Sequence, residues 1–493
     1  MRIKFFSLFL FVALLSTAES STYADSGKLD VWVVNSLKSV YRTSTIPQDA
    51  DTSIQIVSAK NEYEGAQIAV RGETSFEITE VEFSDLTSSG HTIGGDHFSY
   101  HFVEYELADT VQPNAFLPEK VGELIYPPSE LPDPLSNDAS IQVGANSTQP
   151  IFVTSYVPTD AVAGIYQGTI TVKTTLGDFS VPIHVEVADI EIPETSESNF
   201  VNYHWAMTNG FTWDGFAFDD SAEKYDVGHY YYGVETYSDE WFELMDEFAK
   251  VMTEYRQNMI WIRTDLLLDA TGTNLAAFKE GIPDDIDWSL FDKYVQTFID
   301  RGMTHFANVH LIHVLNYMPD DEKPNNPWET IPESLPVTDV FLENYLTALR
   351  DHLEAKGWLD ENGFQWYQHI RDEPSTDNHK NYWTYIAKQI KQVTPELKTM
   401  DADPWGILMT DETKPYVDVW VPLTPAFEEK KEQYQAEQAA GKDLWAYTCD
   451  INQPPWLNRF WTQHVNGEAF ILESESRGRG GSFTLGLECM VRW

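Results

Sequence analysis

The chain has 493 residues, 42% hydrophobic and 14% aromatic, enough to bury a large core in two domains, which excludes a disordered protein. Its 78 acidic against 32 basic residues leave a formal net charge of -46; such a surface repels nucleic-acid phosphates and excludes nucleic-acid partners. Two cysteines, Cys449 and Cys489, exclude a disulfide scaffold and any multi-cysteine zinc or iron-sulfur centre.

At the N-terminus, Arg2 and Lys4 precede an apolar run from Phe5 to Leu15, followed by small residues. This reads as a signal peptide over residues 1–24, too short to span a bilayer, and predicts a secreted or periplasmic protein with no integral membrane segment after cleavage. From 25 to 194, short β-rich runs alternate with turn clusters, as in Asp30–Asn35, Ser53–Ser58, Ala66–Arg71, Ile151–Tyr156, Gly168–Thr174 and Val181–Val187. The spacing predicts an antiparallel β-sandwich, with a linker at Ile190–Ser198.

The rhythm then changes. Amphipathic helices are predicted from Ser238, over Trp288–Arg301, through Phe341–Leu353 and after Pro374. Strands are predicted between them at Phe200–Ala206, Met259–Thr264, His305–Ile312, Gln365–Ile370, Thr399–Ala402, Val417–Val421 and Leu444–Thr448. Strands alternating with helices over 195–472 predict a (β/α)8-type TIM barrel, giving an all-β plus α/β chain. Its eighth strand falls at Ala469–Leu472; without that strand the barrel is incomplete at the C-terminus, and 473–493 reads as an atypical tail, with a frameshift as the simplest origin.

In such a barrel the chemistry sits at the C-terminal ends of the strands. The fourth strand runs into Arg371-Asp372-Glu373-Pro374 and then a helix. Side chains alternate faces along a strand, so Asp372 and Glu373 share one site only where the strand has ended. Pro374 enforces that end and is expected to hold Glu373 extended. Crowded carboxylates have their pKa values pushed apart, one acid and one anion. Adjacent residues do not suit the two standard glycosidase geometries, whose carboxylates stand about 5 to 9 Å apart on opposite faces of the sugar. They suit a substrate-assisted route, in which Asp372 orients the substrate's own 2-acetamido group and Glu373 is the acid and base. Trp420 and Trp445 are candidates for stacking on a pyranose, Tyr447 for holding the acetamide, and His204, Arg263, Asp265 and Asp401 for hydroxyl contacts. His310 and His313, three apart on a predicted strand, point to opposite faces, so no metal site and no cofactor are expected.

His369-Ile370-Arg371-Asp372-Glu373-Pro374, Asp418-Val419-Trp420-Val421-Pro422 and Trp445-Ala446-Tyr447-Thr448-Cys449 resemble the catalytic domain of glycoside hydrolase family 123. Asn61-Glu62-Tyr63-Glu64 with Gln67, Pro132-Asp133-Pro134-Leu135 and Gly164-Ile165-Tyr166-Gln167-Gly168 resemble its N-terminal domain. The resemblance implies an exo-acting β-N-acetylgalactosaminidase with Asp372 as the acetamide-orienting carboxylate, Glu373 as acid/base, and a glycan or glycoconjugate as substrate. Two alternatives stay open at this point. One is a two-carboxylate glycosidase pairing Glu373 with Asp265 or Asp401; the other is a non-catalytic glycan-binding protein.

Overall fold

The computed structural model describes residues 28–108, 129–204, 232–318, 336–359, 363–448 and 489–492. The predicted signal peptide, the expected strand at Ala469–Leu472 and residues 473–488 lie outside them. The chain divides into two compact units, one from residues 1–36, 40–107 and 130–191, the other from the remainder.

The first unit is built from β1 (Leu29–Asn35), β2 (Ile54–Lys60), β3 (Glu62–Gly72), β4 (Phe76–Phe83), β5 (Leu86–Ser88), β6 (His91–Ile93), β7 (Phe98–Ala108), β8 (Ser129–Ser136), β9 (Ile141–Val143), β10 (Thr148–Val157), β11 (Gly164–Thr174) and β12 (Phe179–Glu191). One sheet has the order β1-β3-β10-β7-β8 and the other β2-β12-β11-β4-β9, with β5 and β6 at the side of β11. Alternate residues of β2 and β12 are buried, as expected of strands with one face on a core. That core joins Ile68, Phe102 and Ile151 of one sheet to Ile56, Ile170 and Ile183 of the other. The expectation of a purely antiparallel sandwich needs one correction: β2 and β12 pair in parallel, Ile54 opposite Ile183.

The second unit contains a closed barrel in the order β13 (Asn202–His204), β14 (Met259–Ile262), β15 (His305–Asn308), β16 (Gln365–Gln368), β17 (Lys398–Asp403), β18 (Val419–Pro422), β19 (Asp443–Thr448) and β20 (Cys489–Arg492). Neighbours from β13 to β19 pair in parallel, whereas β20 runs antiparallel to both β13 and β19. The ring is therefore closed, not left open, and its last strand departs from the all-parallel pattern expected of a (β/α)8 barrel.

The helices are α1 (Asp239–Glu254), α2 (Thr264–Ala270), α3 (Ser289–Asp300), α4 (Leu311–Val314), α5 (Pro336–Ala355), α6 (Asp377–Val393), α7 (Thr424–Glu429) and α8 (Lys431–Ala439). The Ser238 hydroxyl accepts from the Trp241 amide and the Thr376 hydroxyl from the His379 amide, capping α1 and α6. After α3 the chain turns at Gly302, whose φ of 99° lies in the left-handed region that glycine adopts freely. Three strands end sooner than expected: β16 stops at Gln368, two residues short of Ile370, and β14 and β15 give way to helices. Thr264 opens α2, and Leu311 opens the single turn of α4, so His310 and His313 do not share a strand.

Contacts between non-neighbouring strands identify the barrel interior. Trp445 of β19 meets Tyr367 of β16 edge to face at 5.2 Å, although β17 and β18 separate them in the sheet. Both side chains therefore point inward, and His305 of β15 stacks on the same Tyr367 ring at 6.0 Å. The intervening Trp366 points the other way, stacking on Phe306 at 4.9 Å and packing near Phe291 of α3, with its indole N–H donating to the Trp358 carbonyl at 2.8 Å.

Candidate active site

β16 ends at Gln368, and His369, Ile370 and Arg371 carry the chain to Asp372 and Glu373 before Pro374 and α6. Both carboxylate residues are partly exposed, whereas His369, Ile370 and Arg371 are buried. Glu373 has φ 42°, so the expected extended conformation gives way to a left-handed one. Pro374 disfavours the right-handed helical region for the residue before it, and the chain makes its sharp exit from the strand through the left-handed one instead. For a residue with a Cβ this costs about 1–2 kcal/mol, which the surrounding structure must sustain.

The anchor is Asp401 of β17, fully buried next to this strand end. Its Oδ2 accepts from the Ile370 amide at 2.8 Å, the Arg371 amide at 3.2 Å and the Trp383 indole of α6 at 2.6 Å. Its Oδ1 lies 2.8 Å from His369 Nδ1 and 3.5 Å from His310 Nε2. Burial pushes the Asp401 carboxyl up, opposed by these donors, and pushes His310 well below the ordinary histidine value. One carboxylate thus ties the end of β16 and the helix that follows Glu373 to the neighbouring strand. Across the mouth, the Tyr447 hydroxyl of β19 donates to Glu373 Oε1 at 2.5 Å. β16 and β19 are not neighbours, so this bond spans the open end of the barrel.

The other sequence-predicted residues fall into two groups. Tyr447 and Trp445 face inward, Trp445 one layer deeper and fully buried against Tyr367, which places it beneath the mouth and not as a platform at it. His204 ends β13, partly exposed, and burial holds its imidazole down to about 4, neutral at neutral pH. Three expectations are corrected. Trp420 is 1% exposed and meets Tyr434 of α8 at 5.7 Å, so it packs between strand and helix outside the barrel and cannot stack on a sugar within it. Arg263 and Asp265 form a buried two-pronged pair, Nη2 to Oδ2 at 2.7 Å and Nε to Oδ1 at 2.9 Å. Burial alone would raise Asp265, but the Arg263 charge and hydrogen bonds and His313 outweigh it and hold the carboxyl low. Asp265 is fully buried and paired with Arg263, so it presents no carboxylate to a sugar hydroxyl at the mouth. Asp401, also expected to touch sugar hydroxyls, contacts backbone and side-chain N–H groups instead.

The sequence argument missed the roles of His369, His310 and Trp383. Trp383 looked like one more member of an apolar helix face, and only an acceptor within reach of its indole N–H marks it out. His310, His369 and Asp401 bring ligand-type atoms within 4.8 Å of one another, the one such group among the described residues. With Oδ1 engaged by His369 and Oδ2 by three donors, the cluster fits a hydrogen-bonded support better than a set of metal ligands.

The comparisons with known proteins point to one family. The glycoside hydrolase 123 catalytic domain matches residues 225–472 and the glycoside hydrolase 123 N-terminal domain residues 35–174. A family 123 glycoside hydrolase from Clostridium perfringens, described for glycolipid glycan hydrolysis, is similar over 86% of this chain and 73% of its own, with a TM-score of 0.61 and 16% identity. At that identity the likeness speaks for the fold alone. A β-glucuronidase from Parabacteroides merdae covers 84% of this chain and 43% of its own at 9% identity, but its TM-score of 0.27 carries no argument. No curated protein matches the sequence. With the catalytic-domain match spanning half of its length and the N-terminal domain match preceding it, the chain belongs to glycoside hydrolase family 123.

Proposed function

We propose that this chain is an exo-acting β-N-acetylgalactosaminidase that retains anomeric configuration through an oxazolinium intermediate. The observation that carries the reading is the pair Asp372 and Glu373 at the end of β16, with Glu373 held by Tyr447 from across the barrel. In the first step the substrate's acetamide oxygen attacks its own anomeric carbon while the bond to the leaving oxygen breaks. Glu373, as the acid, gives its proton to that oxygen, and Asp372 accepts a hydrogen bond from the acetamide N–H and balances the positive charge of the ring formed. In the second step water attacks the anomeric carbon, Glu373 takes its proton, and the acetamide is restored. Tyr447 donates to the carboxylate that cycles between these roles, fixing its rotamer and supporting its anionic form.

The two-carboxylate alternative pairs Glu373 with a distant carboxylate such as Asp265 or Asp401. Asp265 is sealed against Arg263 and Asp401 against four N–H donors, which favours the substrate-assisted route. We read the catalytic unit as a (β/α)8-type variant with a reversed last strand, the N-terminal unit as its accompanying domain, and the enzyme as exported, on the strength of the charged and apolar leader. A glycolipid glycan, the subject of the C. perfringens relative, is the natural substrate class to try.

The test is hydrolysis of 4-nitrophenyl β-N-acetylgalactosaminide, the N-acetylglucosaminide and the plain galactoside by wild type and Glu373→Gln. Turnover of the first, lowered by at least about 10²-fold in the variant, is expected. Turnover of the plain galactoside would sink the acetamide mechanism, and binding without any turnover would leave the non-catalytic reading.

A further inference from the structure

α1 carries more apolar surface than its contact with the barrel uses. Trp241, Met245 and Ala249 are buried in the core, as expected of an amphipathic helix. The flank towards α3 is polar and paired: Lys293 Nζ donates to Asp239 Oδ1 at 2.9 Å, and Arg301 Nε to Asp246 Oδ1 at 2.6 Å. At about 3.6 residues per turn, Leu244, Phe248 and Val251 fall on the opposite flank. Val251 is 50% exposed, and Leu244 and Phe248 are only partly buried. Tyr232, 57% exposed, meets Phe248 edge to face at 5.9 Å and extends the patch. Large apolar side chains gathered on one flank of a helix mark a surface built to be covered.

The ring order says which part of the chain is at hand. α1 follows β13 and α3 follows β14, so α3 is the neighbour of α1 on the β14 side. On the other side of β13 stand β20 and then β19. No helix among the described residues lies between β19 and β20 in the chain, where residues 449–488 join them. Cys489 pairs with both Thr448 of β19 and His204 of β13. Because β20 is reversed, this connection leaves and returns at the mouth end of the barrel, within two strands of β13. Its sequence carries a helix signature: Pro455 suits a first turn, Trp456, Leu457, Phe460 and Trp461 share one face at helical spacing, and Gly467 follows as a stop. Asn458, Arg459, Thr462 and Gln463 fall on the other face. A helix over 455–466 would be about 18 Å long. At up to about 3.3 Å per residue, 449–454 can bring it to the outer side of β13, and 467–488 can return the chain to the mouth.

We propose that residues 455–466 dock as an amphipathic helix on the Leu244–Phe248–Val251 flank of α1. Tethering at both ends makes this docking intramolecular, at an effective concentration that a second copy of the chain does not reach in dilute solution. The docked segment anchors the connection that delivers β20 to the ring, and so braces β19, whose Tyr447 bonds Glu373. Hydrogen exchange of the full chain, read by mass spectrometry, tests the docking without any reference to turnover. In wild type the amides of 459–466 are expected to exchange at least about 10²-fold more slowly than in an unfolded chain. Val251→Asp, which puts a charge on the flank, should bring them within about threefold of unfolded rates while Met259–Ile262 of β14 stays protected. Glu243→Lys, on the solvent face of the same helix, should leave the segment protected. A second measurement uses the near-isosteric Val251→Cys: peptide-resolved maleimide labelling at this position should speed up at least about fivefold when Phe460→Asp is added. Amides of 459–466 that exchange freely in wild type, protection indifferent to Val251→Asp, or labelling indifferent to Phe460→Asp would each overturn the docking. Protection that disappears on dilution, together with a change from dimer to monomer mass in light scattering, would give the flank to a second copy and overturn it as well.

Discussion

Asp401 shows how one buried carboxylate can set the geometry of residues it never touches by side chain. Replacing it with alanine strands the Ile370 and Arg371 amides and the Trp383 indole without their acceptor, each a loss of about 1–3 kcal/mol when buried. Asp401→Ala is expected to lower kcat/KM by about 10²-fold or more, with a clear drop in melting temperature. Asparagine is a milder change, since its carbonyl can take the place of Oδ2 and its amide can donate to His369 Nδ1 once that imidazole shifts its proton to Nε2. Asp401→Asn should therefore keep most of the thermal stability and lose only about tenfold in kcat/KM. Equal activity for wild type and Asp401→Ala would show that the strand end keeps its shape without this anchor. Glu373 illustrates the same dependence on surroundings, because its left-handed φ is tolerable only where neighbouring bonds hold the chain.

Among the elements, α6 matters most to the site, because it leaves directly from the carboxylate turn and carries Trp383. Its N-cap is Thr376, and Thr376→Ala should cost about 1 kcal/mol, seen as a fall of about 2–4 °C in melting temperature. An unchanged melting curve would mean that the cap bond is replaced by water at no cost. The elements also set the response to acid. Burial pushes His204 and His313 down to about 4 and holds His310 well below the ordinary histidine value, while it pushes Asp403 up to about 6 and Asp401 above its ordinary value. The unfolded chain protonates the three imidazoles near 6.5, before the folded one does, so their contribution is lost as pH falls from about 6.5 towards 4. The carboxyls act in the opposite sense: their proton is retained on folding, and that contribution is present at low pH and lost as pH rises through about 6 for Asp403. His352 is likewise held down by burial, and four imidazoles against two carboxyls predict a net fall in melting temperature from pH 6.5 to 4.5, measured in about 0.5 M NaCl to screen surface repulsion. Asp403→Asn should steepen it, and a rise over that range would contradict the balance.

For the whole molecule, a net charge of -46 means that the folded state works against its own field. Raising NaCl from about 0.02 to 0.5 M shortens the Debye length from some 20 Å to about 4 Å and should raise the melting temperature. A flat or falling curve would show that local ion pairs, such as Lys173 with Glu80 and Glu82, already offset the repulsion.

Much of the architecture could be read from the chain because it depends on local periodicity. Alternation in β2 and β12, the apolar stripes of α1 and α3, and the short buried runs Met259–Ile262 and Gln365–Gln368 each express one element's own contact with a core. The Asp372-Glu373-Pro374 triplet stood out for the same reason, being a strand end followed by a helix. Strands such as β4 and β7 were not picked out, because the alternation slips by one residue within each: Thr79 and Glu80 are both exposed in β4, and Phe102 and Val103 are both buried in β7. The antiparallel closure by β20 was equally hidden, since a strand's direction in a sheet depends on its partners and not on its own residues. The sequence by itself determined the succession of elements, the family motifs and the position of the carboxylate pair. Only the tertiary structure decided which aromatic faces inward, why Trp420 leaves the site while Tyr447 enters it, and that Asp401 grips backbone instead of sugar. Those outcomes depend on which residues from distant strands meet, and that is a property of closing the barrel, carried by no local stretch of chain.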